Sequence, residues 1–221
     1  MKERNVEYVW EWPVRITHWT IALSIVVLSV TGFYIGHPFI TVPETAEFVM
    51  GWNRFIHLVF ADIFTLAIIS RLIWATIGNH HCGWPVFFPW LTSAGRRSMW
   101  KMFKFYTFVS KELPTEYMGH NSLAAMAYSG VMILYLTQVV TGFALYSQFA
   151  PGSAVNNLFG PLLVWAGPQW LRLIHHLIMW LLIGFAIHHV YSAWLMDVKE
   201  RNGTISSIFG GYKFVEPNEK H

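Results

Sequence analysis

Apolar and polar positions in this chain fall into long blocks. Four stretches, Ile16–Gly36, Arg54–Ile77, Ala124–Tyr146 and Leu171–Leu195, are almost wholly apolar. Each is long enough to cross the roughly 30 Å of hydrocarbon in a bilayer as an α-helix. The pattern predicts an all-α fold, an integral membrane four-helix bundle forming one membrane domain over residues 1–221. The polar blocks are the first fifteen residues, His37–Asn53, a long segment 78–121, an uncharged loop 147–170 and a tail 196–221. Within the long segment, Met99, Met102, Phe103, Tyr106 and Val109 recur at helical spacing among basic residues. Between spans two and three this predicts an amphipathic helix lying along the membrane lipid surface; an ordinary helix capping the bundle accounts for it equally well.

Composition agrees with the pattern. Of 221 residues, 54% are hydrophobic and only 12% charged, and mean hydropathy is +0.40. The first residues lack the apolar core and small-residue cleavage site of a secretory signal, so span one is expected to be retained. A net charge of +3 and a pI near 9.0 would suit a nucleic-acid partner, but the distribution of charge assigns it to topology instead. Lys2, Arg4 and Arg15, then Arg96, Arg97, Lys101, Lys104 and Lys111, then Lys199, Arg201, Lys213 and Lys220 all fall on one side of the predicted bundle. The two remaining loops contain no Lys or Arg. The positive-inside rule therefore places both termini, the 78–121 loop and the 196–221 tail in the cytoplasm, in a multi-pass membrane protein. A single cysteine, Cys82, excludes an internal disulfide and a cysteine-held iron–sulfur cluster.

The candidate chemistry lies in the histidines. Imidazole inside a membrane span is costly and usually functional, yet the fourth span holds His175–His176 and His188–His189. His175 and His189 are separated by 14 positions, about 1400° of helical rotation, so they share a face at points about 21 Å apart. The other pairings diverge by about 120–140°. By topology, His57 matches His175 in depth near the outer face and His18 matches His189 near the cytoplasmic face. Two such pairs are what two six-coordinate haems need: His57/His175 for an outer haem and His18/His189 for an inner one. No CxxCH motif occurs, so the haem would be b-type. With both axial positions filled, such a centre carries electrons and leaves no open site for substrate. His176 and His188 face elsewhere, towards packing or hydrogen bonding. His80, His81 and Cys82 lack a fourth ligand at useful spacing and read as a loop. His37, His221 and Asp62 carry no assignment.

Arg54 and Arg172 each precede a proposed outer ligand by one turn, and Arg71 lies on the face of His57 near the inner depth. All three are candidate partners for haem propionates; headgroup snorkelling is the competing reading, weakest for Arg71. Gly119-His120-Asn121 opens span three and would serve either as a quinone site or as a plain helix cap. Quinone is the expected membrane-soluble electron acceptor. Two strings also repeat: Val30-Thr31-Gly32-Phe33 with Val140-Thr141-Gly142-Phe143, and Arg54-Phe55-Ile56-His57 with Arg172-Leu173-Ile174-His175. They imply two related hairpins whose glycines allow close approach.

Taken together, Pro13-Val14-Arg15-Ile16 with His18-Trp19, Val30-Thr31-Gly32-Phe33, Arg54-Phe55-Ile56-His57, Arg71 with Gly78-Asn79, Gly119-His120-Asn121, Thr141 to Tyr146, His189-Val190-Tyr191 and Gly211-Tyr212 resemble the cytochrome b subunit of membrane-bound uptake nickel–iron hydrogenases. The resemblance extends over nearly the whole chain, within a superfamily shared with formate dehydrogenase cytochromes. It implies that His18, His57, His175 and His189 are the axial ligands of haem b. It implies a periplasmic hydrogenase of large and small subunits on the outer face, the small subunit adding its own membrane helix, and it leaves room for a dimer of complexes. The chain itself would have no catalytic residue beyond a quinone site. An equivalent subunit of formate dehydrogenase is the alternative; a haem-free anchor or a transporter ranks lower.

Overall fold

The computed structural model describes residues 5–40, 43–84, 88–106, 109 and 122–215. They form an all-α membrane bundle with one short pair of strands. Helices α1 (Trp12–Gly36), α2 (Pro43–Ile77), α4 (Ser122–Ser147) and α6 (Pro168–Glu200) are the four candidate spans among the described residues. Their surface is inverted relative to a water-soluble protein. Leu23, Val26, Val30, Leu66, Leu181 and Ile187 are exposed, whereas Ser24, Thr31, Ser129, Thr141 and Ser147 are buried. That is the arrangement expected where lipid solvates the outside and small polar residues bring helices together.

Element ends differ from the pattern-based expectation for physical reasons. α2 starts at Pro43, eleven residues before Arg54, because proline's fixed φ and missing N–H suit the first helical position. The expected loop 147–170 contains α5 (Ala154–Ala166), capped by the Ser153 hydroxyl, which accepts from the Asn156 N–H at 3.2 Å. Gly167, at φ 78°, ends α5, and Pro168 opens α6. The amphipathic segment forms α3 (Ser93–Tyr106), which starts before Met99 and ends before Val109; the Val109 N–H returns to the Lys104 carbonyl at 2.9 Å.

The chain divides into two compact units, residues 1–16, 70–132 and 188–221 in the first and 17–69 with 133–187 in the second. In the first, β1 (Asn5–Tyr8) pairs antiparallel with β2 (Tyr212–Val215) in the register Tyr8 to Tyr212. Helix α7 (Thr204–Gly210) leads into β2 through Gly211 at φ 92°. A Cβ there would lie 2.9 Å from the Trp10 carbonyl and press on the Tyr8 ring, so only glycine fits without displacement. Val9, Trp10, Val14 and Cys82 form a small core. The Trp10 indole donates to the Ser207 hydroxyl at 3.0 Å, and Arg15 donates to the Phe209 carbonyl. The Glu11 carboxylate accepts from the Trp74 indole and the Asn79 N–H, both at 2.8 Å. Burial pushes the Cys82 thiol pKa up, Arg71 opposing. Burial also pushes the Lys213 ammonium down, Glu200 and Asp197 opposing.

In the second unit the helices close a ring of contacts. Thr31 of α1 meets His57 of α2, and Phe64 of α2 meets Tyr135 of α4 with ring centroids 5.2 Å apart. Thr141 of α4 meets His175 of α6, and Trp180 of α6 meets Phe33 of α1 at 5.0 Å.

Candidate functional site

The two repeated strings become two copies of one local structure, both in the second unit. On α1, the Thr31 hydroxyl donates to the Val27 carbonyl one turn earlier, at 2.8 Å. Its only proton is thereby committed, so towards the His57 Nδ1, 2.9 Å away, the oxygen can only accept. Nδ1 must carry the ring proton, and Nε2 keeps its lone pair. On α4, the Thr141 hydroxyl donates to the Thr137 carbonyl at 2.8 Å and accepts from the His175 Nδ1 at 3.0 Å. The same tautomer follows. The Gln138 amide lies beside the other ring nitrogen, 3.2 Å from the His175 Nε2. Gln138 Oε1 is buried without a hydrogen-bond partner among the described residues, so this side chain is not fully satisfied where it lies.

The glycine beside each threonine makes room for the ring. A Cβ at Gly142 would be 3.1 Å from the His175 Cε1, and one at Gly32 would be 3.4 Å from the His57 Cε1. Thr-Gly on one helix therefore does two things to the histidine on the next. The hydroxyl fixes the proton and the missing side chain lets the ring lie against the backbone. A neutral imidazole, oriented by a bond to one nitrogen and presenting the other, is the donor that haem iron takes. His57 and His175 fit the group on this ground.

The remaining expected residues are distributed as follows. His18 lies on α1 in the second unit, its ring edge-on to Trp19 at 5.1 Å, while His189 lies on α6 in the first. His176 donates from Nδ1 to the Arg172 carbonyl at 2.7 Å and turns its Nε2 towards Gly36 of α1. His188 has the Ser192 hydroxyl at 3.5 Å. Arg54 and Arg172 are exposed one turn before their histidines. Arg71 is buried, donates to the Cys82 carbonyl at 3.1 Å and lies over the Tyr128 ring at 5.5 Å. Gly119, His120 and Asn121 lie outside the described residues. The His80–His81 turn meets β1, where Glu7 Oε1 is 3.0 Å from the His81 Nε2. The sequence had singled out the repeated glycines and histidines. It had not assigned a role to Thr31, Thr141 or Gln138, although both threonines stand inside the repeated string.

The sequence profile of the prokaryotic cytochrome b561 family matches residues 9–211. Among curated proteins, the chain is 40% identical over 217 residues to a protein of Cupriavidus necator, covering 96% of this chain and 88% of that one. It is 38% identical over 220 residues to one of Bradyrhizobium diazoefficiens, covering 94% and 86%. It is 35% identical over 224 residues to one of Escherichia coli, covering 96% and 93%. The first two are named probable Ni/Fe-hydrogenase B-type cytochrome subunit, and the third probable Ni/Fe-hydrogenase 1 B-type cytochrome subunit.

Proposed function

The chain belongs to the prokaryotic cytochrome b561 family, and on that premise we propose that it is the b-type cytochrome subunit of a membrane-bound nickel–iron hydrogenase, which it anchors and whose electrons it passes to quinone. The observation that carries this reading is the repeated Thr-Gly/His arrangement, with hydroxyl to Nδ1 distances of 2.9 and 3.0 Å. Haem b, when bound, supplies a one-electron carrier with no open coordination position.

In this reading His57 and His175 hold the outer haem and His18 and His189 the inner one. Thr31 and Thr141 keep the outer imidazoles neutral and oriented, and Gly32 and Gly142 set how closely they lie to α1 and α4. Arg54 and Arg172 lie at the depth where outer propionates need counter-charge. Arg71, tied to the loop after α2, gives fixed positive charge for the inner ones. Gly119-His120-Asn121 is the proposed quinone site, where His120 would hand on a proton. Both termini lie in the cytoplasm, in the inner membrane. A periplasmic hydrogenase docks outside, its small subunit contributing a membrane helix.

The test is a preparation of the native complex. Two b-type haems per chain, reduced on adding hydrogen and reoxidised by a quinone, with nickel–iron large and small subunits in the same particle, are the expected result. A haem-to-chain ratio near zero, or a molybdenum formate dehydrogenase in place of the hydrogenase, would overturn it.

A further inference from the structure

Asp62 lies at the middle of a membrane span and faces outward. The apolar part of α2 runs Phe48–Ile77, so Asp62 is about 21 Å from one end and about 22 Å from the other. Its side chain is exposed and has no hydrogen bond or ion pair among the described residues. A carboxylate here is too short to reach either interface, and an unpaired charge at this depth is among the costliest residues a span can carry.

Its neighbours continue the same exposed face along the helix. Trp52, Phe55, Val59, Asp62, Leu66 and Ile69 follow one another at spacings of three and four residues, and all six are exposed. That is the seam by which one helix packs along another, with a single polar position fixing the register. Among the described residues, no charge complement comes from this chain. In the four spans, Arg15, Arg54, Arg172 and Lys199 lie towards helix ends and Arg71 is buried. A second copy packed by the same stripe would set carboxylate against carboxylate.

We propose that this stripe of α2 is the seat of a single membrane-crossing helix from a partner chain, which presents a cationic or amide donor to Asp62 at the bilayer midplane. The identity of the chain supplying that helix rests on the hydrogenase reading above; the seat itself does not.

A photoreactive benzoylphenylalanine in place of Leu66, with the same substitution at Val26 on the exposed face of α1 as control, tests it in native membranes. The expected adduct forms from position 66 and not from 26, and maps to a membrane helix with a donor side chain at mid-depth. Asp62→Leu should lower retention of that chain through detergent purification about three- to tenfold, with Asp62→Asn intermediate and the haem-to-chain ratio unchanged in both. An adduct to a second copy of this chain, equal adducts from both positions, or full retention in Asp62→Leu would overturn the proposal. A hydrogenase that co-purifies but cross-links elsewhere refutes the seat and spares the function. A single-span helix from a different oxidoreductase on the stripe refutes the hydrogenase reading and spares the seat.

Discussion

Thr31→Val isolates the contribution of one hydroxyl. Valine keeps the shape of threonine but cannot accept the His57 Nδ1–H, 2.9 Å away. The Val27 carbonyl that Thr31 serves still has its helical bond, so the perturbation falls on the imidazole. A bonded Nδ1–H makes the ring a stronger donor and favours the ferric state. Removing it favours the ferrous state, so the potential of the outer haem should rise. A net hydrogen bond is worth about 0.5–1.5 kcal/mol. If the two oxidation states differ by that amount, the one-electron midpoint moves up by about 20–65 mV. The assay is a spectroelectrochemical titration of purified protein, with haem content measured in parallel. Thr31→Ser retains the hydroxyl and should titrate close to wild type. An unchanged midpoint in Thr31→Val at full haem occupancy would refute the tautomer argument. So would an equal shift in Thr31→Ser, since that would point to packing.

Four further outcomes are expected. Gly142→Ala sets a methyl 3.1 Å from the His175 ring, against 3.4 Å for Gly32→Ala at His57; with overpacking costing about 1–3 kcal/mol, the first should lose more haem than the second by pyridine haemochrome assay. His189→Ala should halve the haem-to-chain ratio and leave the outer spectrum in place. Burial holds the Cys82 thiol protonated above the usual range, so maleimide labelling should stay slow as pH rises to about 8.5, where a free cysteine is half thiolate, and become fast only on denaturation. Gly211→Ala forces a left-handed backbone and a clash with Tyr8; tail cleavage by added protease should accelerate without change in haem content.

The spans were legible because the requirement behind them is crude: twenty or so apolar residues and charge kept to the ends. The meeting of His57 and His175 with neighbouring helices was legible in part, because the two repeated strings hold the Thr-Gly positions and the histidines that contact them. The threonines were not, because their role depends on which way one hydroxyl proton points, and that is set by Val27 and Thr137 through the backbone. Helix α5 was hidden by its lack of charge, although Ser153 before it and Gly167-Pro168 after it are ordinary boundary signals. The β1–β2 pair was invisible for a deeper reason. Four-residue polar strands have no stability alone, and only the core of Val9, Trp10, Val14 and Cys82 makes the pairing worthwhile.

That pairing also sets a schedule for synthesis. Tyr8 finds its partner only once Tyr212 has been made; at about 5–20 residues per second the wait is on the order of 10–40 s. By the end of that interval all four spans can already be threaded into lipid, while the first strand still waits with unpaired amides. The later strand is thus a latch on the earlier one.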